Sequence, residues 1–238
     1  MDDFLRAQNW YPALKHYTFK SSFLPLNPAE IAALAAGEET SDTARKVIAR
    51  LKPMLKEVPG NSFVSVDCCA PTDTERFAGK RGAVFSARSA WTFLARSAKV
   101  REAAAAGMAT CICVRPFRRM NVPREFRLFI VDGKLAAASQ YHLVRHFRRL
   151  DGVREEYWKV LENFVKKIAD KLTVPEVAMD VYITSGRDIL VIDLNQFGPP
   201  TMPLLLRSWD QDWAAIPEPK LKLMSPPVKI SGEVKVSF

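Results

Sequence analysis

Four cysteines and three histidines in 238 residues leave little material for soft-metal or disulfide chemistry. Cys68 and Cys69 are adjacent, Cys111 and Cys113 form a C-x-C pair, and neither has zinc-finger spacing; His16, His142 and His146 are too few to complete such a site. Cys111 and Cys113 alternate within an apolar run and read as buried strand thiols, and a disulfide scaffold is not expected in a chain so poor in cysteine. The ten glycines include neither G-x-G-x-x-G nor G-x-x-x-x-G-K-[ST], which removes the dinucleotide and P-loop signatures. No Ser/His/Asp or Cys/His set points to covalent catalysis. No run approaches the roughly 20 apolar residues of a membrane span, so no membrane partner is expected. The opening MDDFLRAQNW has two acids where a secretory signal carries positive charge, and no apolar segment follows, so a cytoplasmic protein is expected.

What is present is a folding composition, 48% hydrophobic and 26% charged, with a net charge of +9. The excess is concentrated. Residues 115–171 hold 14 basic and 7 acidic side chains, about seven of the nine excess charges. Such a segment suits nucleic acid, an acidic partner or a phosphate-rich ligand, or it is simply a solvated basic face.

The pattern along the chain alternates helices and strands irregularly. Asn27-Pro28-Ala29-Glu30 opens a helix, with an Asn N-cap, Pro at the first position and Glu three after the cap. A second helix is expected over 43–56 on Val47, Ile48, Leu51 and Leu55, a strand over 61–67, and a helix from 89 into the alanine-rich 103–106. Gly79-Lys80-Arg81-Gly82 reads as a flexible basic turn. A short apolar strand covers 110–114. Asp132-Gly133 between 125–131 and 134–140 predicts a hairpin. A long amphipathic helix over 153–171 and two strands over 177–184 and 189–194 follow. These elements make an α+β fold with antiparallel hairpins rather than a doubly wound parallel sheet. The final residues, with Pro217, Pro219, Pro226 and Pro227, read as an extended tail that drapes over the body or is loosely ordered.

Two constellations carry possible chemistry. Asp193 and Asn195 are two apart on a strand and share a face, and a hairpin can bring Asp180 beside them. Two carboxylates that close call for a cation or a proton, and oxygen-only ligands suit Mg²⁺ completed by phosphates. The plainer alternative is two unrelated strand-end acids. The second constellation is Arg115, Arg118 and Arg119, followed by Glu125 and Arg127 on one strand face. Arginine there either clamps phosphate oxygens or forms a cross-strand ion pair, and the ion pair is favoured on these residues alone.

The chain resembles an ATP-grasp family, that of the eukaryotic cell-division-cycle protein assisting assembly of translation initiation factor two, of which bacteria and viruses also carry members. The resemblance rests on Trp10-Tyr11-Pro12, Thr18-Phe19-Lys20, Cys69-Ala70-Pro71-Thr72-Asp73, Val114-Arg115-Pro116-Phe117, Arg124-Glu125-Phe126-Arg127, Ser139-Gln140-Tyr141, Asp180-Val181-Tyr182 and Ile192-Asp193-Leu194-Asn195, in that order. It implies an ATP-grasp fold in which two α+β subdomains, 1–110 and 111–213, clasp Mg·ATP ahead of the proline-rich tail 214–238. It implies Asp180, Asp193 and Asn195 as magnesium and phosphate ligands, Arg115, Pro116 and Phe117 at the hinge strand beside the adenine, and Glu125 and Arg127 facing the nucleotide. Ser65 and Thr72 stand where many members carry basic residues, so Lys80 or Arg81 is expected to substitute.

Three functional classes follow. The first is an ATP-binding assembly module with a protein or other macromolecular partner. The second is an ATP-dependent ligase or phosphoryl or nucleotidyl transferase with an unidentified acceptor. The third is a nucleic-acid binder using the basic central segment.

Overall fold

Apolar positions that recur with helical and strand periods separate into two large cores, each built on its own sheet, and a smaller third one on the far face of the second sheet. A computed structural model describes residues 2–227. The elements in chain order are α1 (Ala7–Leu14), β1 (Ser22–Pro25), α2 (Pro28–Ala35), α3 (Asp42–Lys56), β2 (Ser62–Val66), α4 (Glu75–Lys80), α5 (Ala87–Ala95), α6 (Ala98–Ala105) and β3 (Cys111–Pro116). They continue with β4 (Glu125–Val131), β5 (Lys134–Gln140), α7 (Arg148–Asp151), α8 (Arg154–Ile168), β6 (Glu176–Ile183), β7 (Ile189–Asn195) and β8 (Leu221–Lys222). The α+β class and the antiparallel and mixed sheets expected of an ATP-grasp fold are what the structure has.

The first sheet has the order β1-β3-β2, all antiparallel. Val64, Val66, Ile112 and Val114 face the helices and meet Leu34, Val47, Leu51, Trp91 and Leu94. The expected Asn27 capping box starts α2: Asn27 accepts from the Glu30 N–H and Glu30 accepts from the Asn27 N–H. The single helix expected beyond residue 89 is instead α5 and α6. Ser97 caps α6 by accepting from the Val100 N–H, while its hydroxyl donates to Asp73 at 2.5 Å. A local cap and a contact across 24 residues therefore meet at Ser97, where the two helices separate. The basic turn at 79–82 is the end of α4, with Arg81 left-handed at φ 51° and Gly82 at φ 79°. A Cβ at Gly82 would sit 2.7 Å from Phe63 and 2.9 Å from Phe93, so only glycine fits this position as built.

The second sheet has the order β7-β6-β4-β5-β8, antiparallel except for β5 beside β8. Asp132 and Gly133, both at positive φ, close the β4–β5 hairpin. Phe126, Leu128, Met179 and Val181 on one face pack against Trp10 and Leu14 of α1 and Leu161, Val165 and Ile168 of α8. On the opposite face Phe129 and Ala137 lie under Leu206 and Ile216, with Trp213 stacked on Phe129 at 5.0 Å and Phe197 4.8 Å from Trp209.

Sheet membership differs from the division at residue 110. β3 pairs with both β1 and β2 and is the central strand of the first sheet, whereas α1 packs in the second core. The tail packs on the body as far as Met224: Ile216 and Leu221 are buried, β8 pairs with β5 at Ala138 and Ser139, and the Met224 N–H donates to Gln140 Oε1. The rest of the expected tail, 228–238, lies outside the described residues.

Candidate functional site

The sheet faces turned away from the helices hold the polar residues. On the first sheet, register places Phe63 opposite Arg115 and Ser65 opposite Cys113. On the second, Arg127 is paired with Asp180, and Asp180 with Asp193. Strand β7 carries a bulge: Val191 and Leu194 both point into the core, so Ile192 and Asp193 bow outward between them. The bulge keeps Asp193 and Asn195 on the Asp180 side and frees the Ile192 carbonyl, which accepts from Arg115 Nη1 at 2.7 Å. That bond reaches from the first sheet to the second.

The three expected ligands converge. Asn195 Nδ2 donates to Asp180 Oδ2 at 3.0 Å, and Asp193 is the register partner of Asp180. Asp180 is already engaged: Arg127 donates from Nε to Oδ1 and from Nη2 to Oδ2, both at 2.8 Å, and from Nη1 to the Met202 carbonyl at 2.8 Å. Burial works against the Arg127 charge, but the bidentate carboxylate outweighs it and holds the guanidinium more firmly protonated than usual. Of the two readings open from sequence, the cross-strand ion pair is the one formed. Tyr141 lies under this arginine, 5.3 Å from guanidinium carbon to ring centroid. Its hydroxyl is pushed up to about 12, chiefly by the Asp180 charge and then by burial.

Asp193 is the carboxylate with unmet demand. Burial, and to a smaller degree the adjacent Asp180, push it up to about 6; Arg115, the Leu194 N–H that donates to Oδ1 at 3.0 Å, and Lys99 oppose the rise. Like charges this close favour a proton or a cation. Among the described residues no group of three or more His, Cys, Asp and Glu side chains forms a metal cluster. Two carboxylates and an amide, completed by water and phosphate oxygens, nevertheless fit the hard-oxygen preference of magnesium.

The remaining candidates are placed as follows. Glu125 is buried, with His142 Nε2 3.0 Å from Oε2. Pro116 ends β3 and Phe117 follows it, its N–H donating to the Asn61 carbonyl at 2.8 Å and fixing the segment that leaves the first sheet. Lys80 is exposed at the end of α4, its ammonium 6.0 Å from the centre of the Phe85 ring. The basic residue of the first subdomain whose charge bears on Asp193 is Lys99, which sequence reading missed. It sits in the first turn of α6, where Asp73 accepts from the Lys99 N–H at 3.1 Å, and Cys69 Sγ lies 3.9 Å from its carbonyl. The signal available was Asp73, in the motif Cys69-Ala70-Pro71-Thr72-Asp73, but its partner lies 26 residues on.

The family model described as D123 matches residues 87–224. The chain belongs to the D123 family. It is 29% identical over 102 residues to the cell division cycle protein 123 of Candida glabrata, covering 42% of this chain and 28% of that protein. It is 27% identical over 101 residues to the translation initiation factor eIF2 assembly protein of Dictyostelium discoideum, covering 42% of this chain and 26% of that one. The matched stretch thus spans little more than a quarter of either relative. The structure of Cdc123 from Schizosaccharomyces pombe superposes with a TM-score of 0.75 at 21% identity, over 87% of this chain and 88% of that one, a likeness of fold. The D123 match covers β4 to β8, and so includes Arg127, Asp180, Asp193 and Asn195, as well as Lys99 and Arg115.

Proposed function

We propose that this D123-family chain binds Mg·ATP between its two sheets and, so ordered, docks a protein partner as an assembly module. The observation that carries the reading is Asp193, a carboxylate set against Asp180 with a shortfall of positive charge that a bound cation relieves. Asp180, Asp193 and Asn195 would hold the magnesium, which would supply positive charge to offset that of the phosphates. Arg115 from β3 and Lys99 from α6 supply positive charge, with Lys99 in the part that sequence assigned to Lys80. Arg127 orients Asp180 through two hydrogen bonds, and Glu125 faces the nucleotide from the same strand. Pro116 and Phe117, anchored on Asn61, bound the adenine. The name of the Dictyostelium relative supports a protein partner. Among the described residues no helix is long and apolar enough to cross a membrane, and the four free thiols support a reducing, cytoplasmic setting.

Thermal denaturation tests this. At about 100 times its dissociation constant Mg·ATP adds roughly 2.7 kcal/mol, or about 5–10 °C in Tm for a chain of this size. Asp193→Asn is expected to abolish that rise while leaving the ligand-free protein at least as stable at neutral pH, because it removes a charge the fold disfavours. An undiminished rise in the variant overturns the reading. ADP or AMP release by the purified protein would assign it ligase or transferase chemistry in addition.

A further inference from the structure

An open cleft of about 890 Å³ is lined by five arginines: Arg81, Arg119, Arg145, Arg148 and Arg149. No carboxylate lines it. One wall is tied to β6, the strand that carries Asp180, where the Asn121 N–H approaches the Tyr182 hydroxyl at 3.5 Å. Among the described residues Arg81, Arg119, Arg145 and Arg148 have no ion pair with any carboxylate. Two of the five are held in place: Arg149 donates to Asn121 Oδ1 at 2.9 Å, and Arg145 lies over the Phe147 ring at 5.1 Å. Arg81 projects from a left-handed position fixed by its N–H donating to the Phe77 carbonyl at 2.9 Å. Like charges gathered on one concave wall repel one another and focus a positive potential, which a polyanion relieves.

We propose that this cleft docks an acidic segment of the protein partner, one in which carboxylates alternate with aliphatic side chains. The arginine forks match carboxylates in bidentate fashion. Between them the wall is apolar: Met120, Val122 and Pro123 contribute, and Val144 is 72% exposed with nothing packed over it. Single-stranded nucleic acid fits less well, because base stacking needs an open aromatic face. Of the two rings lining the cleft, Phe147 is buried and already covered by Arg145, and His146 is held against Asp151 at 2.8 Å. The proposal rests on the reading above in taking the partner to be a protein, but not on nucleotide being bound.

The test is fluorescence anisotropy of a labelled peptide of alternating Glu and Leu, and in parallel of a labelled oligouridine, against the full chain and the Arg145→Glu/Arg148→Glu variant. Both positions are exposed. The expected result is peptide binding that weakens with salt and falls at least about tenfold in the variant, with weaker oligouridine binding and an unchanged Tm rise on Mg·ATP. Unchanged peptide affinity in the variant overturns the proposal. Oligouridine binding tighter than the peptide, and lost in the variant, makes the cleft a nucleic-acid site instead. Loss of the Mg·ATP response in the variant makes it part of the nucleotide site. A variant that retains the Mg·ATP response while the peptide fails to bind rejects the cleft and leaves the nucleotide reading standing, whereas failure of Asp193→Asn to alter that response rejects the nucleotide reading alone.

Discussion

Arg127→Ala is the perturbation with the most to say about how the site is built. The guanidinium and its partner Asp180 each keep less than a tenth of their side-chain surface, and the arginine satisfies both carboxylate oxygens and the Met202 carbonyl. Truncation leaves Asp180 buried with Asn195 Nδ2 as its remaining side-chain donor. An uncompensated buried carboxylate costs about 3–5 kcal/mol, and the orphaned Met202 carbonyl adds about 1 kcal/mol. Against a total stability of about 5–15 kcal/mol this is a large share, and it corresponds to a Tm lower by roughly 8–20 °C. Urea denaturation with a common m-value measures it. The double variant Arg127→Met/Asp180→Leu removes both charges and is expected to recover most of the loss, because well-packed apolar residues replace a buried ion pair at little net cost. A single variant within about 1 kcal/mol of the parent, or a double variant as unstable as the single, would refute the view that Arg127 serves Asp180 in the ligand-free protein.

Two further outcomes follow from the fold. Asp67 accepts from Arg6 at 2.7 Å and from the Thr110 hydroxyl and N–H at 2.6 and 2.9 Å, tying the segment before α1 to the first sheet. Burial favours its neutral form, but these donors outweigh burial and hold its carboxyl below the usual aspartate range. Its contribution is therefore complete above the unfolded value of about 3.9 and fades as pH falls through the lower folded one. Asp67→Asn is expected to cost about 2 kcal/mol at pH 7 and progressively less below about pH 4, read from urea curves at several pH values; a deficit independent of pH would count against it. Gly82→Ala places a Cβ against Phe63 and Phe93 at positive φ, and is expected to lower stability by about 1–3 kcal/mol in thermal melts, where no change would show that the turn yields.

Short-range chemistry made much of this protein legible before any coordinates. The Asn27-to-Glu30 capping box, the Asp132-Gly133 turn and the two-residue spacing of Asp193 and Asn195 act within a few residues, so their outcome is written where they stand. The α+β class followed from them. The convergence of Asp180 with Asn195 was also readable, because a hairpin register is a local property of two adjacent strands.

What stayed hidden has one physical origin: it depends on groups brought together from distant parts of the chain. The break between α5 and α6 is marked locally by Ser97, which caps α6, but the Asp73 carboxylate that accepts from the Ser97 hydroxyl comes from 24 residues away and leaves no local trace. Lys99 owes its relevance to that same contact, which aims α6, and to a bulge in β7 that presents Asp193. Arg127 could have gripped phosphate or carboxylate on sequence grounds; pairing β4 with β6 put Asp180 opposite and decided it. Arg115 was read as a nucleotide contact, and only the meeting of two sheets shows it also bonding the Ile192 carbonyl. The amino-acid order determined the elements and the kinds of donor and acceptor available, because those are properties of neighbours along the chain. Which donor meets which acceptor, and so which charge is left in want of a partner, was decided by tertiary packing, because electrostatic energy depends on distance in space and not on separation in sequence.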